Sequence, residues 1–118
     1  MNIESIREYC LAKPGTTEGL PFDEVTLVLK VGGKMFCLMS LERNPSQINL
    51  KCDPEEALSL RETNPSITAG YHMNKKHWNT VVLDGSVDES LIKKMIDNSY
   101  ELVFFSLPAK IRNDISGA

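Results

Sequence analysis

Both histidines and the only tryptophan of this 118-residue chain fall within one short segment, GYHMNKKHWNTV, which is where we look first for chemistry. The neutral imidazoles of His72 and His77 could bind a metal ion. Lys75 and Lys76 lie between them, however, and no cysteine or carboxylate is close by in sequence, which opposes a metal site. We therefore expect no metal and no cofactor.

Acid–base or nucleophilic catalysis is the second chemistry that these histidines suggest. It requires an orienting carboxylate and usually a serine or cysteine within hydrogen-bond reach of the imidazole. The sequence contains no such arrangement, no G-x-S-x-G motif and no phosphate-binding glycine loop. Gly32-Gly33 is better explained as a turn, and Glu55 and Glu56 by a helix start, where carboxylates are favourable. We therefore expect that the protein is not an enzyme.

A contact with a polyanion is the third interpretation of this segment. Lysines would meet phosphates, imidazoles and amides would donate hydrogen bonds, and an aromatic ring would offer a stacking face. The residues for these roles are Lys75, Lys76, His72, Asn74 and Asn79, with Tyr71 or Trp78 as the ring. An explanation without a partner stays open: the rings belong to the core or its edge, the lysines to a solvated turn, and the histidines bond backbone groups. Composition alone favours the explanation without a partner.

Composition and charge are those of an ordinary globular protein. Hydrophobic residues make up 42% of the chain and charged residues 25%, far from the composition of disordered chains. The length fits a single domain, residues 1–118. The net charge of -3 does not indicate a polyanion binder, although residues 30–83 hold seven basic and five acidic groups.

The expected location is the cytoplasm. No apolar run approaches the ~20 residues that cross a bilayer, and the N-terminus lacks the pattern of a signal peptide. The three cysteines, Cys10, Cys37 and Cys52, form no CxxC pair and are expected to be buried, reduced and inert. We expect no association with a membrane.

The middle of the chain predicts a hairpin, a third strand and a helix. Residues 26–31 and 34–39 are rich in strand-forming residues and are separated by two glycines, the clearest hairpin signal in the chain. Residues 48–52 alternate with a period of two. A cap, a proline and a glutamate then predict a helix at about 54–62, and a further strand follows at 77–83.

Two further helices are expected at the ends of the chain. The first begins after Asn2 and ends near Pro14-Gly15, before a polar loop, TTEGLPFDE. The longest begins at a capping box of Ser86 and Glu89 and runs to Pro108, after which the tail adds one turn. The order, roughly α-β-β-β-α-β-β-α, predicts an α+β fold with a mainly antiparallel sheet and helices packed on one face.

Several motifs in one order resemble the MmcQ/YjbR family of small bacterial proteins, over nearly the whole chain. They include VGGKMFCL, NLKCDPEEALSLRE, the histidine segment, NSYELV and LPAK. A Pro-Phe pair at Pro21-Phe22 precedes the hairpin, and a K-x-D-P motif begins at Lys51. One departure is Ala69, where the family often has proline.

The resemblance implies a fold like that of type III secretion chaperones and a predicted role in DNA binding. Two wing-like hairpin loops would approach the DNA. The first wing would carry Gly32, Gly33 and Lys34, and the second Asn74, Lys75, Lys76 and His77. Lys51 would be a weaker companion, because its motif position could instead serve the turn from strand to helix.

Our leading hypothesis is therefore a small DNA-binding, regulatory protein, acting as a monomer or homodimer. Lys34, Lys75 and Lys76 would contact the backbone, helped by His72, His77 and Asn79. The main rival is a protein-interaction adaptor, for which the likeness to secretion chaperones is the reason. A third class, an enzyme or small-ligand binder, would be indicated by a deep pocket that both imidazoles line.

Overall fold

The computed structural model describes residues 1–70 and 73–117, which contain six strands and four helices. In chain order the elements are α1 (Ile3–Leu11), β1 (Thr16–Gly19), β2 (Thr26–Val31), β3 (Lys34–Ser40), β4 (Gln47–Lys51), α2 (Pro54–Thr63), β5 (Ile67–Ala69), β6 (Trp78–Val82), α3 (Glu89–Ser106) and α4 (Ala109–Ser116). Among the helices of these described residues, none combines the length and the apolar character that crossing a membrane requires.

The strands form one sheet in the order β1-β2-β3-β4-β6-β5, and every neighbouring pair is antiparallel. The main core lies between one face of this sheet and the helices. Ile6 of α1 and Ile96 of α3 are fully buried in it, and Leu60 of α2 and Ile115 of α4 pack against it. The predicted α+β fold, with an antiparallel sheet and helices on one face, is confirmed.

Three local predictions were wrong. The polar loop begins with strand β1, which pairs with β2 through its backbone while its side chains stay mostly exposed, so no apolar alternation marked it. The tail forms the eight-residue helix α4 rather than one turn. The capping box is absent, because α3 begins after Asp88 and the Ser86 hydroxyl lies 2.5 Å from that of Ser66.

The hairpin between β2 and β3 matches its prediction. Gly32 and Gly33 both have positive φ, 58° and 82°, which the two-residue turns of hairpins require and which glycine adopts at little cost. Gly32 also lies against Leu107, since a Cβ at this position would come within 2.5 Å of that side chain. The turn is therefore packed against the start of the α3–α4 connection.

Ser99 joins the central strands to α3. Its side chain is fully buried, and its hydroxyl donates a 2.5 Å hydrogen bond to the Phe36 carbonyl and accepts one of 2.9 Å from the Lys51 N–H. Phe36 sits where the β2–β3 register shifts, so its carbonyl lies at an irregular point of the ladder. A single hydroxyl thus satisfies two backbone groups that would otherwise be buried without partners.

Replacing Ser99 with alanine should lower the free energy of unfolding by about 2 kcal/mol, because a buried backbone group that loses its partner costs ~1–3 kcal/mol. Urea denaturation of the two proteins measures the difference. Ser90→Ala, on the exposed side of the same helix, is the matched control and should change stability by less than about 0.5 kcal/mol. Equal stability of Ser99→Ala and the control would contradict this role for Ser99.

Candidate nucleic-acid interface

The predicted second wing is a tight turn that precedes β6. The Asn74 side chain accepts a 3.0 Å hydrogen bond from the Lys76 N–H, and its carbonyl accepts from the N–H groups of His77 and Trp78. Asn74 therefore organises the turn through its oxygens. The side chains of Lys75, Lys76 and His77 are all exposed, as a contact with a ligand requires.

Arg61 of α2 fixes this turn from the helix side. Its guanidinium donates a hydrogen bond to the Lys75 carbonyl and another, of 2.7 Å, to the Asn79 side-chain oxygen. The Cys52 N–H donates to the His77 carbonyl at 2.7 Å. Gly70 lies so close to Trp78 that a Cβ would come within 2.8 Å of it. The ends of the turn are thereby attached to β4, β6 and α2.

Asn79 does not belong to a surface site, which corrects the prediction made for it. Its side chain is fully buried on the helix-covered face, where it accepts from Arg61 and donates to the Ala57 carbonyl at 3.4 Å. A buried amide with both ends occupied cannot donate to a phosphate. His72 and Tyr71, also named as candidates, lie outside the described residues.

The sheet face opposite the helices is called the open face below. Strand alternation places Trp78, Leu38 and Val28 on it, and they form a second apolar cluster with Met35 and Met73. Trp78 is only 9% exposed. The interpretation of this ring as a core or edge aromatic is confirmed, and the ring is not an exposed stacking platform.

Two lysines of the open face and two of the adjoining turn lie at one end of the sheet, and we call Lys30, Lys51, Lys75 and Lys76 the lysine cluster. Lys30 pairs with Met35 and Lys51 with Trp78, so both lysines share the face of the second apolar cluster. The hydrogen bond between Cys52 and His77 brings the turn that carries the other two beside Lys51. Among the described residues, no carboxylate forms an ion pair with any member of the cluster; those present are Arg7–Glu18 and Lys13–Asp97.

Lys34, the candidate of the first wing, is exposed at the same end of the sheet. It pairs with Val31, whose side chain is buried in the main core, so the register assigns Lys34 to the helix side. Lys30 was missed as a candidate. Its position between the buried Leu29 and Val31 was the available signal, because alternation turns it to the opposite face.

A groove of about 680 Å³ lies along the open face, and Met35, which pairs with Lys30, is among its lining residues. Its apolar walls include Phe22, Met35 and Met73, and its floor includes the uncharged polar side chains of Asn49 and Thr80. Thr80 donates a 2.5 Å hydrogen bond to the Asn49 side-chain oxygen. His77 is not among the residues that line this groove.

An acidic depression lies on the helix side at this end of the sheet. A depression of about 510 Å³ lies between the start of α2 and the second half of α3. Asp53, Glu56 and Glu101 line it together with the exposed Leu102 and Phe105. Carboxylates are therefore concentrated in this depression, on the side of the sheet opposite to Lys30 and Lys51.

All three cysteines are buried and unpaired. Burial, with the nearby carboxylates of Glu56 and Asp53, raises the pKa of the Cys52 thiol to about 11. A hydrogen bond with Cys10 and complete burial raise the pKa of Cys37 well above its usual value. Protonated, buried thiols are poor nucleophiles, so the expectation of inert cysteines fits the structure.

Comparison with known proteins decides the family. Residues 11–102 match the family model described as YjbR. The chain belongs to the YjbR family. The chain is 35% identical to the Escherichia coli K12 protein YjbR over 95% of both chains, and 40% identical to YbdF of E. coli O157:H7 over 85% of this chain and 82% of that protein. The names of both relatives call them uncharacterized.

Two solved structures share the fold. A Deinococcus radiodurans protein of domain family DUF419 superposes with a TM-score of 0.92 at 38% identity, covering 98% of this chain and 88% of that one. A Pseudomonas syringae protein superposes with a TM-score of 0.76 at 29% identity, covering 87% of this chain and 99% of that one. The family resemblance inferred from sequence motifs is confirmed.

Three of the segments that carry the YjbR resemblance border the open face. The Pro-Phe pair supplies Phe22, the glycine hairpin leads into Met35, and the K-x-D-P motif supplies Lys51. Asp53 of that motif also caps α2 by accepting from the N–H groups of Glu55 and Glu56. Lys51 therefore lies on the open face while its neighbours make the turn from strand to helix.

Replacing Arg61 with methionine should lower the free energy of unfolding by about 2 kcal/mol, because it leaves the Asn79 oxygen buried without its charged donor. Amide exchange at residues 75–78 should also accelerate more than at β2 or β3, since the turn loses its attachment. Arg43→Met, at an exposed arginine, is the control and should be neutral. Arg61→Lys should restore only part of the loss, because one ammonium does not reproduce the planar fork. Unchanged exchange in the turn would exclude Arg61 as its anchor.

Proposed function

We propose that this protein binds DNA by contacts between the lysine cluster and phosphates. The observation that carries the proposal is the register of β4 with β6, which places Lys51 beside the turn that holds Lys75 and Lys76. Lys30 lies two strands away on the same face, about 10 Å at ~4.8 Å per strand. Cations at this spacing can meet several phosphates of one backbone.

The distribution of charge supports this direction of approach. The whole chain is acidic, with a net charge of -3, so its mean field repels a polyanion. On the helix side, Asp53, Glu56 and Glu101 line one depression. A polyanion is therefore favoured at the lysine cluster and disfavoured at this depression, which orients the protein on it.

The size of the cluster limits the strength of binding. Four phosphate contacts correspond to a slope of about -3.6 in a plot of log affinity against log salt, since each contact contributes ~0.9. Binding should be measurable at low salt and weak near physiological salt. His77, exposed beside the lysines, adds a hydrogen-bond donor.

Replacing both Lys75 and Lys76 with glutamate should weaken binding to a labelled duplex by tenfold or more at low salt and reduce the slope to about -1.8. Fluorescence anisotropy at several salt concentrations gives both quantities. The melting temperature should stay nearly unchanged, because both side chains are exposed.

The matched control reverses two exposed lysines on the helix side, Lys94 and Lys110. It changes the net charge by the same amount, so it separates a local contact from the mean field of the protein. Equal losses in both double variants would reduce the effect to net charge and contradict the assigned interface. Absence of duplex and single-strand binding by the unmodified protein at low salt would reject the function itself.

A protein-interaction adaptor is the second candidate, and the helix side provides its reason. Phe105 is 65% exposed and Leu102 41%, and both border the acidic depression between α2 and α3. Exposed apolar side chains rimmed by charge are typical of protein contacts. A partner for this surface would combine an apolar anchor with basic residues.

A further inference from the structure

The groove on the open face has the lining of a site for a flat, uncharged, polar ring. Its volume of about 680 Å³ falls within the ~300–1,000 Å³ of sites that enclose small molecules. Phe22 is 64% exposed and forms part of one wall, and Met35 and Met73 are adaptable, polarisable walls. A volume of this size can hold one base.

Hydrogen-bonding groups on the groove floor are available to such a ring. Gln47 and Asn49 lie two residues apart on β4 and therefore share the open face. Among the described residues, none accepts a hydrogen bond from either amide NH₂, while Thr80 occupies one acceptor site of Asn49. Side-chain amides pair well with the donor and acceptor edges of nucleobases.

Charge along the groove is unequal. Lys51 lies two residues from Asn49 along β4, about 7 Å at ~3.4 Å per residue, so the lysine cluster stands at one mouth. Glu42 and Arg43 line the other end, and their charges offset each other. The ligand that fits carries negative charge at one end and a neutral polar ring at the other.

We infer that the groove accepts an unpaired base of single-stranded DNA, whose phosphates contact the lysine cluster. This inference rests on the proposed function and specifies it, since it makes single-stranded DNA the preferred ligand over duplex. Bases of a duplex are stacked and paired, and their faces cannot reach Phe22 without unpairing. An unpaired base can stack on an aromatic side chain and present its polar edge to amides.

An acidic peptide fits these features less well. Its carboxylates would be distributed along the chain, and some would lie over the uncharged floor of Asn49 and Thr80, away from the lysines. A nucleotide keeps its charge on the phosphate, apart from the base. The observed separation of lysines from the uncharged floor therefore favours the nucleotide.

The test compares a labelled mixed-sequence 12-nucleotide single strand with the duplex of the same sequence, by anisotropy at low salt. The single strand should bind the unmodified protein at least tenfold more tightly. Phe22→Ala should weaken single-strand binding about fivefold or more, the loss expected for one aromatic–base stack. It should leave duplex binding and the salt slope unchanged, because no phosphate contact is removed.

Phe105→Ala is the matched control, since Phe105 on the helix side is exposed to the same extent, 65% against 64%. It should leave both affinities unchanged, and melting temperatures verify that both variants fold. Asn49→Ala adds a second groove variant with the same expected direction.

Four results would overturn the inference. Equal affinity for single strand and duplex, with no effect of Phe22→Ala, would leave DNA binding intact and remove the base site. Full competition by a free mononucleotide at the affinity of the 12-mer would make the groove a nucleotide site. Competition by an acidic peptide at that affinity would make it a peptide site. If Lys75→Glu/Lys76→Glu loses all DNA binding while Phe22→Ala binds as tightly as the unmodified protein, the lysines contact phosphates but the groove holds no base.

Discussion

The pairing of β4 with β6 is the contact on which the rest of the structure depends. It joins the meander of β1 to β4 to the hairpin of β5 and β6, which follows α2 in the chain. Five residue pairs fix its register. A slip by one residue would exchange the faces of all the side chains on β6. Val81 would leave the main core and Trp78 would enter it. The same register places Lys51 beside the lysine-bearing turn and Asn49 beside Thr80, so the fold and the candidate site share one determinant.

The parts of the fold that sequence predicted are those with strong local signals. Two adjacent glycines between strand-like runs indicated the β2–β3 hairpin, and Asp53-Pro54 marked the start of α2. β1 escaped prediction because it is a polar edge strand, stabilised by backbone pairing rather than by an apolar face. The Ser86 cap failed because the Ser86 hydroxyl and N–H bond Ser66 and Asp84 instead. The spacing of residues in a sequence does not show which of several nearby partners a side chain will bond.

The candidate site was predictable only in part, for a related reason. Sequence neighbours drew attention to the turn at residues 74–77, and its exposed lysines are available as expected. Asn79 lies two residues beyond His77 yet faces the other side of the sheet, where Arg61 and Ala57 bond it. Lys30 comes from a distant part of the chain and joins the cluster through strand register. Which residues share a face depends on long-range pairing, and no local motif encodes it.

Gly32 gives the hairpin a property that a loop at the tip of a sheet often lacks. Because Leu107 occupies the space where a side chain would stand, the tip rests on the junction of α3 and α4. We expect it to move with the helix layer as one rigid unit. Strands held in this way present Lys30 and Met35 in a fixed geometry, and a ligand that meets them does not have to order the backbone first. The hairpin is thus a preorganised, rigid part of the surface rather than a flexible wing.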